Sequence, residues 1–437
     1  MCSASSQGSG DSGSPFAVNQ HGAFGTVTVT DITDGTIAPG DTLKFKLAQG
    51  TIIAGSNINM YICDNATASF DYSTDSCTGG TMICSATNVN PTSADAVCTG
   101  GAGLVSVPTA HGDYGFKVYV EDSVSNSAIG NNSQTYTVID VPPTLVSYTA
   151  TDTPVIPAGG SDTVDFSASI SDANGDGDVS AVEGILFDAT PITLSSGTCP
   201  GAVTNEQNCY IVPTCTISDV STAGTGKTAT GTDALLTASC QATVWFNANP
   251  SDNWEVHVNP TDSIGKETGF IDSNVNLINP ELSGIDMVQT SITYGIIELG
   301  SASARQITTM KNMGNIAIDV MVSGSDMCIG SYSATCPSSY IPVANQKWYH
   351  LDNDFNWSAP AAGPGPYTLV NTASGTGDST GCLNRDIAVR TAHDSSSTDE
   401  SIWWRLKIPE TQATGSYAGQ NVFTSTASST CTTGQAY

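Results

Sequence analysis

The cysteines constrain this chain more than any other feature. Thirteen occur, and twelve fall into three groups of four: Cys63, Cys77, Cys84 and Cys98; Cys199, Cys209, Cys215 and Cys240; Cys328, Cys336, Cys382 and Cys431. Cys2 is left over. Zinc ribbons need Cys-x-x-Cys knuckles or nearby His, and neither occurs. Even-numbered groups in a Ser/Thr/Gly-rich acidic chain read as disulfides, two per group, formed in an oxidising compartment. The expected location is therefore extracellular, at a cell surface. Four cysteines allow three pairings. The equal spacing of Cys63 to Cys77 and Cys84 to Cys98 favours local loops.

Length and charge bound the rest. The chain has 437 residues, which at about 100–200 residues per domain means two to four domains. Lys+Arg is 12 and Asp+Glu is 41, a formal net charge of −29. No basic cluster could neutralise phosphates, so nucleic acid is excluded as a partner, and an anionic membrane surface is disfavoured on the same grounds. Only 12% of residues are charged while 39% are hydrophobic; a disordered acidic chain would show the opposite balance. No stretch approaches the roughly 18 apolar residues of a membrane span. Met1-Cys2 leads into Ser3-Ala4-Ser5-Ser6-Gln7-Gly8-Ser9-Gly10, a flexible tether by composition over 1–14. A Cys before a polar tether is how a mature lipoprotein begins, so Cys2 is a lipidation candidate.

Helical periodicity is nearly absent and strand signals recur. Thr42-Leu43-Lys44-Phe45-Lys46-Leu47, Tyr114 to Val120, Thr163 to Ile170, Trp254 to Val258 and Ile316 to Val322 alternate apolar and polar residues, as half-buried sandwich strands should. Two Pro-bearing junctions divide the chain, Asp140-Val141-Pro142-Pro143 and Ile278-Asn279-Pro280-Glu281. The segments 15–140, 141–280 and 281–437 each carry four cysteines. Ile37-Ala38-Pro39-Gly40, Ile156-Pro157-Ala158-Gly159 and Ile297-Glu298-Leu299-Gly300 each read as a Gly turn feeding a strand. The first two segments also close with a strand running into an Asp-Ser turn, Asp122-Ser123 and Asp262-Ser263. The fold class expected is all-β: three tandem immunoglobulin-like β-sandwich domains with intradomain disulfides.

A resemblance points the same way. Asn312-Met313-Gly314-Asn315 before Asp319-Val320-Met321-Val322, and Leu406-Lys407-Ile408-Pro409 before Gly415-Ser416-Tyr417, make the third segment similar to the NEW3 and CARDB immunoglobulin-like modules of microbial surface proteins. The three-part layout resembles Cys-dotted surface proteins of candidate-phylum bacteria and archaea. The resemblance implies a fold and a surface location, and says little about activity.

One run carries specific chemistry. Asp172-Ala173-Asn174-Gly175-Asp176-Gly177-Asp178-Val179-Ser180-Ala181-Val182-Glu183 fits the twelve-residue calcium loop. Asp172, Asn174, Asp176 and Ser180 offer side-chain oxygens, Asp178 its carbonyl, and Glu183 a bidentate closure, with Gly177 at the sharp turn. A structural calcium ion is the expected cofactor. The flanking strand signals depart from the helices of an EF-hand, and a plain Asx-rich turn is the competing reading. Two apparent catalytic motifs fail on position. Gly10-Asp11-Ser12-Gly13 resembles a serine-protease nucleophile motif without the barrel that should precede it. Gly224-Thr225-Gly226-Lys227-Thr228 imitates a P-loop, with Ser221 where the first Gly belongs. The five His, His21, His111, His257, His350 and His393, show no metal-ligand spacing. No enzyme activity is expected.

Four of the six Trp crowd into the third segment, including the pair Trp403-Trp404. Successive strand residues face opposite sides, so one of that pair points outward as a candidate interface. The expected function is a structural subunit of a microbial surface assembly, a filament or surface layer that self-associates. The alternative is a surface adhesin or glycan-binding lipoprotein.

Overall fold

A computed structural model of the chain describes residues 27–31, 37–48, 57–99, 107, 110–123, 128–150, 153–194, 197–219, 235–262, 277–350, 357, 366–376 and 378–431. Within them the chain is all-β, and its only helical pieces are short 3-10 turns such as Asp176–Asp178 and Val343–Asn345. No helix among these residues is long and apolar enough to cross a membrane.

Three β-sandwiches follow one another. In the first, strands Thr28–Asp31, Leu43–Leu47 and Ala96–Thr99 face a sheet of Met82–Val89, Ile58–Cys63, Gly112–Asp122 and Ala128–Val138. Leu43–Leu47 shows how the sequence dictates this: Leu43, Phe45 and Leu47 are buried while Lys44 and Lys46 face outward. Phe45 meets Phe116 of the opposite sheet edge-to-face at 5.1 Å, an arrangement that aromatic quadrupoles favour.

In the second sandwich, Thr144–Ala150, Ser161–Ser171, Leu235–Trp245 and Thr216–Asp219 form one sheet. Cys209–Val212, Ala181–Asp188, Ser251–Thr261 and Leu277–Asn279 form the other. Ser161–Ser171 and Leu235–Trp245 pair without a slip from Ser161↔Trp245 to Ser171↔Leu235. That long ladder presents Val164, Phe166, Ala168 and Ile170 to the core. The third sandwich sets a five-stranded sheet, Ile285–Met287, Gln306–Asn312, Glu400–Leu406, Gln346–Tyr349 and Tyr367–Thr368, against Cys382–Ile387, Ile318–Gly324 and Asn421–Ala427. Trp348 and Trp404 fill its core.

Each sandwich has its own apolar core and its own two disulfides. The pairs are Cys63–Cys77, Cys84–Cys98, Cys199–Cys209, Cys215–Cys240, Cys328–Cys336 and Cys382–Cys431. Of the three pairings open to each group, the fold takes the most local one throughout. Six such bonds are those of a chain that matures outside the reducing cytosol. The three turn glycines share one backbone state: Gly40, Gly159 and Gly300 have φ of 80°, 71° and 75°. That left-handed region is cheap for glycine alone, which is why the same residue recurs before the same strand.

Candidate metal centre at the first interdomain junction

The linkers between sandwiches determine what surrounds the junctions. In Asp140-Val141-Pro142-Pro143 two residues lack an N–H, so the remaining backbone groups need partners from elsewhere. Asn174 provides them. Its buried amide donates to the Ile139 carbonyl at 3.1 Å and accepts the Val141 N–H at 2.7 Å. Asn174 is held in turn by an Asx turn: its own N–H donates to Asp172 Oδ1 at 2.7 Å, and the Gly175 N–H donates to the Asp172 carbonyl. Gly175 is left-handed at φ 104°, and Asp176–Asp178 then forms a 3-10 turn that contains Gly177.

This arrangement brings ligand atoms of His111, Asp140 and Asp178, from three stretches of chain, within 4.8 Å of one another. Asp178 and linker residue Asp140 share His111 of the first sandwich, whose Nδ1 lies 3.2 Å from Asp178 Oδ2 and 3.6 Å from Asp140 Oδ2. Asp172 is fully buried. Oδ1 takes the Asn174 N–H, while Oδ2 is buried with no hydrogen-bond partner. Asp262, buried at the end of strand Ser251–Thr261, adds its charge. Burial pushes the Asp172 carboxyl up to about 6; the Asn174 N–H opposes this, and the charges of Asp178, Asp262 and Asp140 add to it. Asp178 is raised as well, first by burial and then by Asp140, with His111 opposing.

The structure therefore unites Asp172, Asn174 and Asp178 of the expected loop, but not all of its members. Ser180 donates its hydroxyl to the Thr261 carbonyl at 3.0 Å. Glu183 sits on strand Ala181–Asp188 opposite Asn259, with Oε1 3.4 Å from Asn259 Nδ2. The left-handed turn falls at Gly175 rather than Gly177, and strands flank the loop, so a single-loop ring closed by Glu183 is not the geometry present. Nothing is described of the Asp176 side chain. Asp140 and Asp262 were legible only as a hinge residue and a turn residue, because no local pattern links them to Asp172.

The second junction repeats the clamp without the acids. Asn315 donates to the Pro280 carbonyl at 2.9 Å and accepts the Leu282 N–H at 2.6 Å. The sequence separations, 35 and 33 residues, equal those at Asn174. Here Met313 packs against Gly159, and the Gly159 N–H donates to the Met313 carbonyl at 2.9 Å. A Cβ on Gly159 would lie 2.6 Å from Met313 Cε, so both its φ and this approach require glycine. Glu206 accepts the backbone N–H of His393 at 2.5 Å and meets its Nδ1 at 2.8 Å. The His393 ring stacks on Trp245 at 3.8 Å. Gln207 and Asn247 both donate to the Arg390 carbonyl.

The other candidates resolve as follows. Cys2, His21 and the two motif look-alikes lie outside the described residues. His257 is buried between the Asn259 side chain, 2.8 Å away, and the Tyr148 hydroxyl. Of the tryptophan pair, Trp404 is 0% exposed and its Nε1 donates to Thr308. Its core position removes it from any surface. Trp403 is half-buried on the other face of the strand, opposite Ile307 and the buried Tyr349. A cleft of about 790 Å³ also opens in the third sandwich, lined by Tyr294, Ile297, Met327, Ile341, Leu406 and Tyr417.

The chain matches no protein-family model and no curated protein. Solved structures that resemble it do so faintly. One is described as the complete structure of manganese lipoxygenase of Gaeumannomyces graminis and partial structure of zonadhesin of Komagataella pastoris. It is 14% identical over 57% of this chain and 93% of that one, with a TM-score of 0.15. Another is Escherichia coli alpha-2-macroglobulin activated by porcine elastase, 10% identical over 91% of this chain and 32% of that one, also at 0.15.

Proposed function

We propose that the chain is an extracellular structural protein, a subunit of a self-associating surface assembly such as a filament or surface layer. The observation that carries this reading is the matched pair of Asn clamps. Relative motion is the default between domains joined by short linkers. This chain spends a buried side chain at each junction to pin the linker, at the same register both times. Fixed spacing between stapled sandwiches suits a building block, whereas a tethered binding head gains nothing from it. Negative-stain electron microscopy of the concentrated chain tests the reading. Ordered fibres or sheets are expected, and monodisperse single chains at high concentration would refute it.

A second reading, a surface adhesin, draws on the third sandwich. Its cleft, lined by both apolar residues and Glu298 and Gln412, and the half-buried Trp403 offer a ligand-sized recess and a partly accessible aromatic ring. That reading expects single chains that bind carbohydrate on a glycan array. Trp403→Ala is the clean probe, since Trp404→Ala would open the core instead.

A further inference from the structure

We infer that Asp140 and Asp178, grouped with His111 and backed by the buried carboxylate of Asp172 on the same loop, form a binding site for a hard divalent cation, calcium by preference, which fastens the linker between the first two sandwiches to the second. Two fully buried aspartates frame the argument. Asp319, in the third sandwich, is satisfied by the backbone: Oδ1 accepts the N–H groups of Arg385 and Asp386, and Oδ2 that of Cys431. Asp172 is equally buried, yet only Oδ1 has a donor. Its Oδ2 is buried without a hydrogen bond, on the loop that carries Asp178 and whose Asn174 holds the backbone on both sides of Asp140. A buried acceptor left unsatisfied costs about 1–3 kcal/mol, and more when charged. His111, which reaches Asp140 and Asp178, brings at most one positive charge and is itself exposed. A divalent ion supplies what His111 cannot.

The donor set selects the kind of ion. Aspartate carboxylates without a thiolate suit a hard cation, and calcium tolerates the irregular oxygen geometry that ligands from separate segments impose. Magnesium demands near-ideal octahedral geometry. The site differs from a single-loop calcium site, because Asp140 comes from the linker, His111 from the first sandwich, and Glu183 lies beside Asn259. Its consequence is mechanical: the ion would tie Asp140 to the loop whose Asn174 already grips Ile139 and Val141. The inference rests on this geometry alone and stands whether or not the chain polymerises.

The test is calorimetric titration of calcium chloride alone into the chelator-washed full chain, then into folded variants checked by circular dichroism. Saturable binding of a single ion is expected, weakened at least about ten-fold by Asp172→Asn and by Asp178→Asn. Glu183→Gln should leave it unchanged. Equal losses in Glu183→Gln and Asp172→Asn would overturn the junction site in favour of the single loop. An absence of saturation up to about 10 mM calcium, beyond the range of weak extracellular modules, would overturn it outright. Zinc binding tighter than calcium and lost in His111→Ala would overturn the assignment to a hard cation.

Discussion

The two junctions of this molecule solve the same problem with opposite chemistry. Both pin the incoming linker with one buried Asn, Asn174 at the first and Asn315 at the second. Around the clamp they diverge. The second junction is built without a cluster of aspartates: Met313 packs against Gly159, Trp245 stacks on His393, and Glu206 holds His393. Among the described residues there, the buried atoms left without a hydrogen bond are the neutral Asn247 Oδ1 and the Nε of an Arg390 already paired with Asp399. The first is left with converging carboxylates and a buried oxygen that no donor reaches. Only at the first junction is the orphaned atom a carboxylate oxygen, and the proposed ion concerns that joint alone. If the proposed ion binds, one joint is set by the chain itself and the other depends on the cation content of its surroundings.

The two buried aspartates give the largest expected contrast. Asp319→Asn turns an acceptor toward the Cys431 N–H into a donor, and should cost about 1–3 kcal/mol whether or not calcium is present. Asp172→Asn keeps the acceptor for Asn174 and removes a buried charge. It should stabilise the calcium-free chain and abolish its gain in Tm with calcium, as differential scanning calorimetry would register. Parallel behaviour of the two variants would erase the distinction drawn here.

The clamps come next. Asn174→Ala and Asn315→Ala each strip two backbone groups of their partner, at about 1 kcal/mol or more per hydrogen bond. Calcium should offset much of the loss at Asn174 and none at Asn315. Glu206→Gln then probes the finished junction: a loss of about 1 kcal/mol is expected, insensitive to EDTA.

The smallest effect is on pH. Burial and neighbouring acids hold Asp172 up at about 6 in the cation-free chain, above the unfolded carboxylate value of roughly 3.9. The folded state therefore binds this proton more tightly. Its contribution to stability is full below the unfolded value and lost as pH rises through about 6. In EDTA, denaturant midpoints should fall across that window. With saturating calcium they should rise instead, since protons then compete with the ion.

Much of the architecture is legible without coordinates because its causes are local. Alternation at Leu43–Leu47 and Ser161–Ser171 names the buried face directly. The turn glycines Gly40, Gly159 and Gly300 mark the same backbone requirement three times. The junction is only half legible. Asp172, Asn174 and Asp178 stand together in the chain, but Asp140 and His111 reach Asp178 through tertiary topology. Nothing in Asp-Ala-Asn-Gly or Asn-Met-Gly-Asn distinguishes an interdomain clamp from an ordinary turn. The tryptophan pair shows the same limit. Parity requires one of them to face inward, but only the pairing of Trp404 with Gln306 and Trp348 decides which.

Amide hydrogen exchange at the two linkers, with calcium and with EDTA, tests the central contrast most directly. The Val141 N–H is bonded to Asn174 and the Leu282 N–H to Asn315, so each reports the opening of its own junction. The account predicts that calcium slows exchange at Val141 and leaves Leu282 unchanged. Equal rates at Val141 with and without calcium, or slowing at both linkers alike, would contradict it.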